Sequence, residues 1–200
     1  MSEVLFHSVH DLFAAGILRI AAQPPANPRD ISGASFLTIL LVAGDYPAKT
    51  PVMWNAAYRE FGLPEVNVVA VADPADTAVI LDVFRRDHRY RGGGAGVGFK
   101  GAIIPHLDEV TPLARAMGAV NIARNAPAGH LAGDNTDGDG FTRALEQRFL
   151  ARDTSLQDKR IIILGAGDTA VPIGFALARR GAKPTFLNRT ESKAEAAAEA

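Results

Sequence analysis

Two short segments hold the residue types best suited to chemistry. Gly92–Lys100 reads GGGAGVGFK, with five glycines in nine residues and a lysine at its end. Gly165-Ala166-Gly167-Asp168-Thr169-Ala170 matches G-x-G-x-x-A. The second segment supports a definite chemistry. Gly165 permits a tight turn, Gly167 lets the backbone approach a pyrophosphate, and Ala170 lets a helix pack on a strand. Main-chain N–H groups at the helix start would then face the phosphates. The first segment leaves three readings open: a phosphate cradle, a flexible linker, or a strand crowded against a ligand. From its neighbours alone, Lys100 is most simply a loop lysine. Desolvated behind an apolar strand, it would be an acid–base group.

The glycine motif has meaning only between a strand and a helix, and the flanking sequence supplies both. Arg160–Leu164 (RIIIL) reads as a short buried strand before it, a helix runs to Arg180, a second strand covers Pro184–Leu187, and a last helix starts at Thr190. The end of that second strand bears on the cofactor. A site for NAD usually places an acid there for the ribose hydroxyl. This chain has Asn188-Arg189-Thr190, no acid before Glu191, and Lys193 one helical turn on. Arg189 and Lys193 suit a 2′-phosphate, which favours NADP over NAD.

Upstream, the same alternation holds. Ser35–Val42 (SFLTILLV) and Val66–Ala72 (VNVVAVA) are apolar runs expected of strands covered on both faces. Thr50-Pro51, Asp73-Pro74 and Thr111-Pro112 each pair a cap residue with a first-turn proline, and each predicts a helix start, with Thr50 as N-cap. Ala95–Phe99 alternates as a third strand would. Ala119–Asn125 and His130–Asp134 flank a turn as a hairpin, and Gly138–Arg152 reads as a connecting helix. Strands alternating with helices predict an α/β protein with a mainly parallel sheet. Leu5–Ala22 could form an amphipathic helix before a proline-rich break at Gln23–Asp30, read as a loosely packed extension.

The chain has 200 residues, 22% of them charged, and a formal net charge of −1. Nothing in that balance suggests nucleic acid or an anionic membrane as partner. The absence of cysteine excludes disulfides and thiolate chemistry and fits a reducing, cytoplasmic setting. The five histidines are scattered, so no metal site is expected. No apolar run approaches the ~18 residues that span a bilayer.

Gly118-Ala119-Val120-Asn121 followed by Gly133-Asp134-Asn135-Thr136-Asp137-Gly138, with GAGDTA and NRT behind them, resembles the shikimate/quinate dehydrogenase family over roughly residues 35–200. The resemblance implies an α/β substrate domain first and a Rossmann domain second, with the active site in the cleft between them. It implies a reversible, NADP-dependent oxidation of a ring hydroxyl to a ketone, an alcohol dehydrogenase of EC class 1.1.1 in aromatic amino acid biosynthesis. The family's catalytic lysine follows a strand written N-V-T-V-P-(F/H)-K. Counted back from GAVN without gaps it falls on Lys100, and the catalytic aspartate falls on Asp137. A register through Ile103–His106 would need a deletion and is rejected. The family's substrate-contacting asparagine falls on Asn121.

Departures from the family pattern concern the substrate. A Ser-x-Ser that holds the substrate carboxylate corresponds to Ala48-Lys49-Thr50, and the strand's Asn and Thr correspond to Gly94 and Gly96. These changes imply a shifted or bulkier substrate, still an alicyclic or polyol-like alcohol, with Lys49 a possible carboxylate partner. The competing expectation is a non-catalytic NADP-binding relative. The expected organisation is an extension at 1–33, a substrate domain at 34–136, a connecting helix at 137–157 and a partial Rossmann domain at 158–200, C-terminally incomplete, in a monomer or homodimer.

Overall fold

The computed structural model describes residues 6–199, so Leu5 of the expected first helix lies outside the described residues. The chain divides into two compact units. One comprises the residues up to Thr111 together with Val120–Asp134; the other comprises Pro112–Ala119 and the residues from Asn135 onward.

The first unit is built on a seven-stranded sheet of order β1-β3-β2-β4-β6-β7-β5. Its strands are β1 (Arg19–Ile20), β2 (Phe36–Val42), β3 (Glu65–Val71), β4 (Tyr90–Gly94), β5 (Glu109–Val110), β6 (Ile122–Ala126) and β7 (His130–Asp134). The centre, β3-β2-β4, is parallel, while β1 and the β6-β7 hairpin join it antiparallel. The apolar runs mark that centre: Leu37, Ile39, Leu41 and Val42 of β2 and Val68, Val69 and Ala70 of β3 are all buried. Covered on both faces, these strands show no polar alternation. Helices α1 (Val9–Ala14), α2 (Thr50–Glu60) and α3 (Thr77–Arg86) complete the unit, with α2 against β3.

Three expectations are corrected here. The N-terminal segment packs closely. A capping box between Ser8 and Asp11 starts α1, and Gly16, at φ +76°, turns the chain so that β1 can pair with β3. Val9, Leu12, Leu18 and Ala21 are buried. From the proline-rich break, the Asn27 amide donates to Ala21 O and Val69 O, and its carbonyl accepts from Val69 N–H.

The third strand is Tyr90–Gly94, earlier than Ala95–Phe99. Ala95 keeps a single bridge to Leu41, and Val97–Lys100 form a turn with Gly98 at φ +85°. The apolar Ala95 and Phe99 are buried by packing, which imitates strand alternation without a ladder. Gly93 is required by close approach: a Cβ there would overlap the Ile39 carbonyl of β2.

Thr50 is the first residue of α2 and not its cap. Lys49 holds the N-cap position and makes no side-chain cap bond. Asp73 caps a 3-10 turn at Pro74–Asp76, its carboxylate accepting from Ala75 N–H, and α3 follows from Thr77.

The second unit contains α4 (Pro112–Ala116), α5 (Asp137–Leu150), β8 (Arg160–Leu164), α6 (Ala170–Arg179), β9 (Lys183–Leu187) and α7 (Glu191–Glu199). Strands β8 and β9 pair in parallel, Arg160 with Lys183 through Leu164 with Leu187. Leu156, Leu177 and Ala182 form its core with Leu145, Phe149, Ile161, Ile163 and Ile173. Helices α5 and α6 cross so closely that a Cβ on Gly138 would overlap Pro172 O. Arg180 then bridges to Asp139 at 3.1 Å and Glu146 at 3.0 Å.

Two measurements test these packing assignments. Gly93→Ala should lose about 2 kcal/mol or more in denaturant unfolding, because two backbones must separate. Asp87 joins the ends of α1 and α3, accepting from Val9 N–H at 2.9 Å and pairing with Arg89 at 3.0 Å. Burial alone would raise its pKa, but the bonds from Arg89 and Val9 outweigh burial and hold it below the usual 3.8. A carboxyl lowered by folding stabilises above its unfolded pKa, and that contribution fades as pH falls through the folded value. The stability gap between wild type and Asp87→Asn should therefore be wide at neutral pH and narrow below about pH 4.

Candidate active site

In the first unit the expected substrate-side residues lie along neighbouring segments. Gly94, the last residue of β4, pairs with Ile122, directly after Asn121. Ala95 N–H donates to Asn121 O at 3.0 Å, and Gly96 N–H donates to Leu41 O at 2.8 Å. The chain then turns, and Val120 N–H donates to the Lys100 carbonyl at 2.8 Å. Lys100 is thereby tied by its backbone to the residue preceding Asn121. Asn121 N–H in turn donates to Asp134 O at 3.0 Å, and the Asp134 carboxylate accepts from the Thr111 hydroxyl at 2.6 Å. A lysine and an asparagine distant in sequence are thus held on one small backbone frame.

Ala48 is buried with Leu40, Val42, Val69 and Ala21, and Tyr46 packs against them. Lys49 is exposed. Thr50 Oγ1 is buried without a hydrogen-bond partner. Freed from capping, it is left unpaired in a buried setting, at a cost of about 1–3 kcal/mol. The space a side chain would need at Gly94 and Gly96 is already occupied. A Cβ at Gly94 would come to 2.6 Å from Leu40 Cδ1, and one at Gly96 to 2.7 Å from Val42 Cγ1. The glycines therefore do not enlarge the site, which removes the basis for a bulkier substrate.

In the second unit Asp137 opens α5. Asn135, buried, accepts from Asp137 N–H at 3.0 Å through its side-chain carbonyl, and its amide donates to Ala119 O at 2.9 Å. The Asp137 carboxylate accepts from the Thr169 hydroxyl at 3.3 Å. Thr169 belongs to the Gly165–Ala170 loop, so that loop and the acid are directly joined. Sequence reasoning missed both contacts; Asn135 lay in view inside GDNTDG, while the Thr169 bond has no local signal.

The loop suits a dinucleotide phosphate. Gly165, at φ +111°, turns the chain off β8, and a Cβ at Gly165 or Gly167 would meet open space. The N–H groups of Ala166, Gly167 and Asp168 donate to no protein group among the described residues. Gly165 N–H donates to Leu187 O at 2.7 Å, which places the loop beside the end of β9. There Asn188 donates to Thr190 O at 2.9 Å and shapes a turn that leaves Arg189 and Thr190 exposed, with Lys193 exposed on α7.

A family profile for the shikimate dehydrogenase substrate binding domain matches residues 46–123. The chain is 40% identical over 146 residues to the NADP(+) shikimate dehydrogenase of Moorella thermoacetica, covering 72% of this chain and 48% of that protein. The chain belongs to the shikimate/quinate dehydrogenase family. Shikimate 5-dehydrogenase of Thermus thermophilus, solved with shikimate, shares its fold at TM-score 0.72 and 30% identity, covering 82% of this chain and 60% of that one. The 5-ketofructose reductase of Gluconobacter sp. strain CHM43 does so at TM-score 0.70 and 33% identity, covering 82% and 57%. The chain spans about half the length of curated relatives such as the Moorella enzyme. No helix among the described residues is long and apolar enough to cross a membrane.

The unpaired Thr50 hydroxyl gives a direct test. Thr50→Val should leave ligand-free stability unchanged or raise it by up to about 1 kcal/mol, because no hydrogen bond is lost. A clear fall in unfolding free energy would show that the hydroxyl already has a structural partner.

Proposed function

We propose that the protein carrying this chain is an NADP-dependent dehydrogenase of the shikimate type, reversibly oxidising a secondary hydroxyl of an alicyclic or polyol-like substrate to the ketone. The observation that carries this reading is the bond between Thr169 of the dinucleotide loop and the Asp137 carboxylate. It sets an acid beside a loop whose amides are open to phosphate.

In this reading the substrate hydroxyl loses its proton to Lys100 while its carbon gives up hydride. NADP supplies the nicotinamide ring that accepts this hydride. Asp137 accepts a hydrogen bond from the reacting hydroxyl and polarises it, and Asn121 positions a neighbouring hydroxyl. The backbone bond from Val120 to Lys100 fixes the distance between those two roles. Ala48–Thr50 and Gly94–Gly96 border the substrate away from the reacting carbon. The amides of Ala166–Asp168 hold the pyrophosphate, with Gly165 and Ala170 shaping the loop. Asn188 and Thr190 form the turn that presents Arg189, and with Lys193 it receives the 2′-phosphate. Names of relatives that specify NADP(+) support that choice of cofactor. A monomer or homodimer in the cytoplasm belongs to the same proposal.

Lys100→Ala in the natural gene product should lower turnover about 100- to 10,000-fold while NADP affinity stays within twofold. Equal turnover would remove Lys100 from the mechanism. Arg189→Ala should weaken NADP about 10-fold or more and leave NAD nearly unchanged, since a charge-assisted bond to phosphate contributes about 1.5–3 kcal/mol. Titration of cofactor binding by fluorescence checks both affinities.

A further inference from the structure

We infer that Asp45 is a positioning residue for Lys100, and that Arg19 and Ala22 of the N-terminal segment hold it in place. The inference rests on the dehydrogenase reading above, in which Lys100 takes the substrate proton, and adds the residues that set the turn carrying that lysine.

Both carboxylate oxygens of Asp45 are committed. Arg19 Nη1 donates to Oδ2 at 2.7 Å, and Ala22 N–H donates to Oδ1 at 2.8 Å. The Arg19 side chain is 55% exposed and that of Asp45 22%. An ion pair this open to water contributes little to stability. What it fixes is the path of the chain from β2 to α2. Ala21, flanked by the two donors' residues, is buried in one cluster with Ala48. The N-terminal segment therefore grips the connection near its start, at Asp45, and near its end, at Ala48.

This connection reaches the lysine through Ala43, two residues before Asp45. Ala43 N–H donates to the Val97 carbonyl at 2.9 Å, and Val97 begins the turn that holds Lys100. Gly98, next in that turn, lies so near that a Cβ on it would come to 2.7 Å from Ala43 Cβ. At the other end of the turn, Val120 N–H bonds the Lys100 carbonyl. The turn is thus braced twice, by the residue before Asn121 and by the clamped connection. A misplacement of about 1 Å in a reacting group can cost on the order of 100-fold in rate. Release of Asp45 is therefore read in turnover more than in stability. Arg19, Ala22 and Asp45 all precede residue 46, where the match to the family's substrate-domain profile begins.

The test uses the natural gene product with NADP and whichever of shikimate, quinate or a panel of neutral cyclitols it oxidises fastest. Asp45→Ala should lower kcat about 10-fold or more, and Arg19→Gln about threefold or more, while NADP affinity stays within about twofold. Asp45→Asn keeps an oxygen for the Ala22 N–H and should fall between wild type and Asp45→Ala. The deciding readout is the same pair of substitutions made in Lys100→Ala. There Asp45→Ala should cost less than about twofold in kcat, because the group it positions is gone. A residue that only supports the fold would cost the same factor in both backgrounds, and that result overturns the inference. Wild-type kcat in both Asp45→Ala and Arg19→Gln overturns it too, and leaves the dehydrogenase reading intact. Should Asp45→Ala fail to fold, Arg19→Gln, a substitution at an exposed side chain, decides by the same comparison. No nicotinamide reduction by the wild type on any of these alcohols overturns the dehydrogenase reading and the inference with it.

Discussion

The close approach of β4 to β2 governs the first unit. Two backbones lie so near that a side chain at Gly93 would overlap the carbonyl of Ile39. Glycine in a strand normally weakens it. Here it lets β4 sit between β2 and β6 and carry the chain past Asn121 into the turn that holds Lys100. Every later contact, from Ala95 with Asn121 to Val120 with Lys100, inherits its register from that approach. The glycine-rich stretch is a packing device first, and its lysine is positioned as a consequence.

The second unit solves a different problem, that of presenting bare backbone. A parallel pair of strands ends in two turns side by side, joined by the bond from Gly165 to Leu187. Small residues keep the first turn open, and Asn188 shapes the second. Helix α5 is locked onto α6 by the missing side chain of Gly138 and by Arg180 with its two carboxylates. Thr169 and Asn135 then fix Asp137 by its carboxylate and its amide. Asp137 is thereby held at both its side chain and its backbone.

Much of this was legible in the sequence wherever a local signal existed. The apolar runs of β2 and β3, the proline-marked helix starts and the strand–turn–helix around Gly165 all depend on neighbouring residues. What could not be read depends on distant partners. The first 33 residues look like a loose extension until Val69 and Asp87 are seen to bond Asn27 and Val9. Thr50 and Lys49 compete for one cap position, and propensity alone picks the wrong one. Phe99 alternates like a strand residue because the turn buries it. Gly94 and Gly96 suggest a widened site, yet Leu40 and Val42 fill the opening from another strand. Residue type reveals where a side chain is absent, but not what enters the space.

The two borders of the seven-stranded sheet are short. Both β1 and β5 contribute only two residues each. Just beyond β1, the Asn27 side chain satisfies the N–H and C=O of Val69 in the manner of another strand. An open row of unpaired amides invites strand addition from a second molecule and then aggregation. The proline-rich segment thus acts as a guard rail, blunting a hydrophobic sheet at low cost in sequence. Loss of Asn27 would leave the Val69 N–H without its partner and reopen the sheet border to pairing from outside.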